Sequence, residues 1–142
     1  MNKPYRVGRS RTGLGLFATA TIEKGAFIVA YMGRRISHAR AEQLEAQGSR
    51  YMFEIDSRWT IDGSSRRNFA RYANHSCRPN AESDLVGGKL ILRAIKNIAP
   101  GEEITYDYGE EYFELFLARI GCKCNACVAK RRKRKQARRK AN

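Results

Sequence analysis

The chain has 142 residues, 42% hydrophobic and 30% charged, and 28 Lys and Arg against 14 Asp and Glu give it a formal charge of +14. That length carries one domain with a modest core, and no stretch approaches the ~18 apolar residues of a membrane span, so no membrane partner is expected. The charge is uneven: nine Lys or Arg and no acid lie between positions 130 and 140, leaving 19 basic residues against 14 acidic elsewhere.

In chain order the pattern is mostly short strands, a mainly β fold class. Residues 5–8, 26–32, 51–55, 59–61, 89–95 and 103–108 are rich in β-branched and aromatic side chains. Turn formers bound most of them: Glu23-Lys24-Gly25, Asp62-Gly63, Gly87-Gly88 and Ala99-Pro100-Gly101. Two segments read as helices. Residues 37–47 start at Ser37, a residue able to cap, although Arg40 three positions on leaves a full capping box missing. Residues 110–120 carry acids in the first turn and stop before Gly121. The run from 130 to 140 cannot bury its own charge and reads as a disordered arm. Its physical use is to neutralise anions, nucleic acid above all, with binding that falls as salt rises.

The four cysteines carry the most information. Cys122, Cys124 and Cys127 lie together, and Cys77 stands 45 residues upstream in Asn74-His75-Ser76-Cys77-Arg78-Pro79-Asn80. Four thiolates complete the tetrahedral shell of a structural zinc. Two disulfides fit less well, because no apolar leader opens the chain and close CxC spacing bridges poorly. A zinc would pin the C-terminal part against the Asn-His-Ser turn, where a binding site would form.

Gly13-Leu14-Gly15 followed by Ala18 matches the dinucleotide pattern GxGxxA, but the residues after it are too short for the helix that pattern opens. The surviving implication is that two glycines allow close backbone approach to a ligand. Asn74-His75-Ser76 is formally a glycosylation sequon, with nothing else pointing to secretion. Tyr106 and Tyr108 share one face of the 103–108 strand by alternation; they are either core aromatics or the lining of a slot with apolar walls and hydroxyl ends. HExxH, P-loop and GxSxG motifs are missing, so hydrolase and phosphoryl-transfer chemistry lacks support.

Together these segments resemble the SET-domain protein lysine methyltransferases over about residues 4–128. The resemblance rests on Gly13-Leu14-Gly15, Tyr31-Met32-Gly33, Tyr51-Met52-Phe53-Glu54-Ile55-Asp56, the segment from Arg71 to Asn80, Gly101 to Tyr108, and the cysteine trio. It implies a SET domain at 4–109, a post-SET helix and zinc segment at 110–128, and a basic tail at 129–142. The family fold consists of several small sheets with a knot-like passage near the active site. The implied cofactor is S-adenosylmethionine, held by Thr12, Gly13, Leu14 and Gly15, with Asn74 and His75 in contact and Tyr51 at its edge. Tyr108 matches the active-site tyrosine, and Tyr31 and Tyr106 match residues lining the lysine channel. Cys77, Cys122, Cys124 and Cys127 match the zinc ligands.

The implied reaction is an in-line displacement in which a neutral lysine amine attacks a methyl on sulfonium, so alignment in a desolvated tunnel dominates. A tyrosine at position 106 implies that reaction stops at one or two methyl groups. The CxCxxC trio is tighter than in many relatives, and Ala30 stands where many carry an acid before Tyr31. The implied partner is a lysine-containing protein, histone-like or ribosomal, with nucleic-acid contact through 130–140. Oligomeric state is left open, and location follows the host: cytoplasm or nucleoid in a bacterium, nucleus in a eukaryotic cell.

Overall fold

The computed structural model describes residues 3–11 and 13–109. Thr12, the expected helix at 110–120, Cys122, Cys124, Cys127 and the basic run at 130–140 lie outside the described residues. The elements in order are β1 (Tyr5–Ser10), β2 (Gly13–Ala18), β3 (Phe27–Ala30), β4 (Arg34–Ser37), α1 (His38–Ala46), β5 (Met52–Glu54), β6 (Trp59–Asp62), a 3-10 turn (Phe69–Tyr72), β7 (Asn74–His75), β8 (Ala81–Val86), β9 (Lys89–Ala94) and β10 (Glu103–Tyr106).

They form two sheets. The larger runs β1-β2-β10-β8-β9-β3, with β7 also paired to β10; the smaller runs β4-β6-β5. β10 is the hinge of the larger sheet. It lies antiparallel to β2, with Ile104 opposite Leu16, and parallel to β7, with Thr105 opposite Asn74 and Tyr106 opposite His75. This places the two motifs richest in functional residue types side by side.

Each element has a local cause. Gly87 and Gly88 have φ of 58° and 78° and form the two-residue link between Val86 and Lys89, a left-handed turn that suits the twist of a hairpin. Ser37 caps α1, its Oγ accepting from Arg40 N at 3.1 Å, as expected from a capping serine. The helix buries only Ala41, so packing along β4, β5 and β6 holds it in place rather than a broad apolar face.

The core lies beneath the larger sheet. Leu16, Leu92, Ile98 and Ile104 are almost completely buried, each contributing about 1.5–3 kcal/mol relative to exposure. Tyr31 and Tyr106 belong to the same buried cluster, and Tyr108 packs on its margin. Four strands and two strand ends differ from expectation. β2, β4, β7 and β8 were not anticipated, because Gly13–Ala18 was read as a glycine loop, Arg34–Ser37 is mostly polar, Ala81–Val86 lacks alternation, and the two-residue β7 is too short to show it. β1 extends to Ser10. β10 stops at Tyr106, so Tyr108 lies just past the strand.

Candidate active site

Behind β10 and the smaller sheet lies a cavity of about 540 Å³. Tyr31, Tyr51, Tyr106, Tyr108 and Arg71 line one part of it; α1, β5 and the residues flanking β5, with Thr60 of β6 and Gly109, supply the rest. Alternation is therefore only part of the reason Tyr106 and Tyr108 meet. Their rings are 4.8 Å apart at 53°, although Tyr108 is no longer in the strand.

What holds Tyr108 is His75. The Tyr108 amide donates to His75 Nδ1 at 3.1 Å, and the two rings meet edge-on at 5.3 Å. The Tyr108 hydroxyl donates to the Ala73 carbonyl at 2.5 Å. Burial holds the His75 imidazole below its usual pKa, with Asp107, 3.7 Å away, partly opposing. A neutral ring with Nδ1 accepting carries its proton on Nε2, 3.4 Å from Cys77 Sγ.

Tyr31 follows β3 and enters from the other side. Its hydroxyl donates to the Tyr51 carbonyl at 2.7 Å, and its ring packs on Phe53 at 5.4 Å. Burial pushes the phenol above its usual pKa, and Tyr108, Asp62 and Tyr51 add to that while Arg71 opposes it. The hydroxyl is thus a neutral donor at any physiological pH.

The glycine segment takes a different position. Gly13, Leu14 and Gly15 belong to β2, facing Asn74 rather than the tyrosine-lined cavity. The Asn74 amide nitrogen lies 3.0 Å from both Leu14 O and Ser10 Oγ and 2.8 Å from Glu103 Oε2. A Cβ on Gly15 would fall 2.7 Å from that same Glu103 oxygen. Close approach at Gly15 is therefore made by the protein's own Glu103 and Asn74. The site comes out in two adjoining parts, one around Asn74 and the β2 glycines and one ringed by tyrosines, with His75 and Tyr108 between them.

Two asparagines outside the expected set hold this arrangement. Asn68 is fully buried: its Oδ1 accepts from Met32 N at 2.9 Å, and its Nδ2 donates to Gly63 O at 3.0 Å. It ties the backbone just past Tyr31 to the end of β6. Asn80 acts like a short strand, donating to Glu103 O at 2.8 Å and accepting from Thr105 N at 2.9 Å. Neither has a spacing signal that would reveal it; Asn80 stood only within the quoted motif. Cys77 is exposed, with its Sγ facing His75 Nε2, and the described residues contain no group of three or more metal ligands.

The comparisons with known proteins identify the fold family. The SET domain family matches residues 13–109. The chain belongs to the SET-domain family. Among curated proteins similar to this SET domain, "Histone-lysine N-methyltransferase, H3 lysine-4 specific" of Neurospora crassa is 35% identical over 139 residues, 90% of this chain and 11% of that protein. The protein of the same name from Saccharomyces cerevisiae is 35% identical over 135 residues, 87% of this chain and 12% of that one. Among solved structures, Chaetomium thermophilum polycomb repressive complex 2 aligns at a TM-score of 0.72 with 28% identity, covering 82% of this chain and 16% of that chain. The same complex bound to S-adenosylmethionine, in an autoinhibited conformation, aligns at 0.68 with 30% identity, covering 77% and 15%. The SET domain described here thus spans a small fraction of the proteins it matches.

Proposed function

We propose that this SET domain is a protein-lysine N-methyltransferase that uses S-adenosylmethionine. The observation that carries the reading is the convergence of Tyr31, Tyr106 and Tyr108 on one cavity beside the Asn74–His75 strand. When bound, the cofactor supplies an electrophilic methyl group on a sulfonium. The chain's own groups orient and exclude water. The tyrosine rings offer an apolar channel for the four-carbon stem of a lysine, and burial there favours the neutral amine. The Tyr108 hydroxyl, anchored on Ala73 O, keeps lone pairs to accept from that amine. Alignment then supplies most of the rate, and no strong base is needed.

The donor chemistry suits the cofactor. Asn74 and His75 offer amide and imidazole groups, Gly13 has open space beside its Cα, and Tyr51 stands at the cavity wall. We assign cofactor contact to Gly13, Leu14, Gly15, Tyr51, Asn74 and His75, with Thr12, and channel roles to Tyr31, Tyr106 and Tyr108. Reaction stops at one or two methyl groups, because the Tyr106 hydroxyl takes room a third would need. The substrate class is a basic, histone-like protein, supported by the names of the relatives and by the acidic side chains Glu42, Glu54 and Asp56 at the cavity.

A structural zinc fits the same proposal. Cys77 presents an exposed thiol beside the site, and with Cys122, Cys124 and Cys127 it makes the four-thiolate set zinc favours. Metal analysis should find about one zinc per chain, and Cys124→Ser should lower both metal content and activity; an active chain without zinc would remove this assignment. The basic run at 130–140 is assigned to nucleic-acid contact, so its deletion should weaken activity on nucleic-acid-bound substrates and spare short peptides.

The deciding experiment is transfer of labelled methyl from S-adenosylmethionine into extract proteins, comparing the native chain with Tyr108→Phe. Labelled bands lost in the variant support the enzyme. No label from folded, metal-loaded protein would favour a tethering module that keeps the SET fold without turnover.

A further inference from the structure

Arg71 sits where three segments of the channel wall meet. Its guanidinium lies over the Tyr51 ring, 4.1 Å from the centroid, with the Tyr72 ring at 5.3 Å. Its Nη1 donates to the Ser64 carbonyl. Its Nε is buried with no acceptor among the described residues, and the side chain lines the cavity. Ion pairing does not account for this placement: among the described residues Arg71 takes part in no salt bridge. A flat, weakly hydrated cation that can stack and donate at once is what these contacts use.

The Tyr51 carbonyl supplies the second half of the connection. It accepts from Gly63 N at 2.9 Å and from the Tyr31 hydroxyl at 2.7 Å. One guanidinium therefore holds the Tyr51 ring on one side and the Gly63-Ser64 backbone on the other. The Tyr31 hydroxyl hangs on the carbonyl between them. The Tyr31 ring has little room to compensate, since a Cβ on Gly63 would stand 2.4 Å from it.

We propose that Arg71 is a positioning residue that sets the width of the lysine channel, acting through Tyr51 on the Tyr31 hydroxyl. The catalytic consequence rests on the methyltransferase reading; the clamp itself does not. Lysine would be a poor substitute, because a point charge on a flexible stem can neither stack as a plane nor donate as a fork.

The test is a pair of double-mutant cycles in the full chain, read in urea unfolding and in turnover on a lysine peptide. Arg71→Lys should lower kcat/KM about tenfold or more, raise the peptide KM, and move the product mixture toward more methyl groups. Arg71→Lys and Tyr51→Leu should be strongly non-additive in both readouts, because each removes the same stack. In a Tyr51→Phe background, which keeps the ring face, Arg71→Lys should have its full effect. Additivity with Tyr51→Leu, or a wild-type product ratio and peptide KM in Arg71→Lys, would overturn the proposal. Should Arg71→Lys fail to fold, Tyr51→Leu must shift the product ratio in the same direction, and an unchanged ratio overturns it. A wild-type chain that transfers no methyl would sink the enzymatic reading, while coupling in unfolding would still decide the clamp.

Discussion

The cavity has two unlike walls. On the side of the larger sheet, Tyr106 is 5% exposed and paired within a strand that has neighbours on both edges. Tyr108 beside it is held through both its amide and its hydroxyl. On the side of the smaller sheet, β5 is three residues long and pairs only with β6, and α1 buries a single alanine. That wall carries Glu42, Glu54 and Asp56, all exposed. The backbone amides of Arg58 and Trp59 hold the Asp56 carboxyl below its usual range, so it stays ionised. Groups that must be placed within a fraction of an ångström stand where packing over-determines them. On the proposed reading, Glu42 and Glu54 need only carry charge on the thinner wall, while Asp56 there is also tied to the Arg58 and Trp59 amides.

The contrast can be broken most decisively at Tyr108. Tyr108→Phe should cut kcat at least ~100-fold while costing only about 0.5–1.5 kcal/mol of stability for one lost hydrogen bond. Single-turnover kinetics beside urea denaturation would show both, and a variant that unfolds instead would place Tyr108 in the core rather than in the chemistry. Asn68→Ala should do the opposite. It strands the Met32 amide and the Gly63 carbonyl in a buried position, and should destabilise the fold by about 2–4 kcal/mol, visible as a lower urea midpoint.

A subtler change is expected from Tyr106→Phe. Stability should hardly move, and mass spectra of a peptide product should show added methyl groups; a variant that stays at the wild-type ratio would leave the channel's size control elsewhere. On the other wall, Glu42→Gln with Glu54→Gln should leave folding and kcat unchanged and raise KM for a basic peptide a few-fold at low salt. That difference should fade as ionic strength rises. A KM insensitive to salt would remove charge from the account of the second wall.

Legibility in the sequence followed the same division. Ser37 as a cap, the Gly87-Gly88 turn and the strands around 26–32, 51–55, 59–61, 89–95 and 103–108 are local features, decided by residues within a few positions of each other, and the structure has them within one or two residues at most ends. Tyr31, Tyr106 and Tyr108 were legible through the family resemblance, and they do meet at one cavity. The part played by His75 in seating Tyr108 was not legible, because it depends on β7 running parallel to β10 across some thirty intervening residues. Asn68 went unremarked and Arg71 stood only within a quoted motif for the same reason: a polar residue shows its purpose only when the backbone groups it satisfies are known.

By itself the sequence determined the mainly β character, the turns and cap, the family, and the residue types available for chemistry, because these follow from local propensity and from motifs short enough to read in line. Tertiary structure alone decided that β10 lies between β2 and β7, that Asn74 spends its amide on Leu14, Ser10 and Glu103, and that Arg71 reaches Tyr51 and Ser64 together. Those contacts join residues distant in the chain, and their free energy exists only once loop closure and burial have brought the partners out of water.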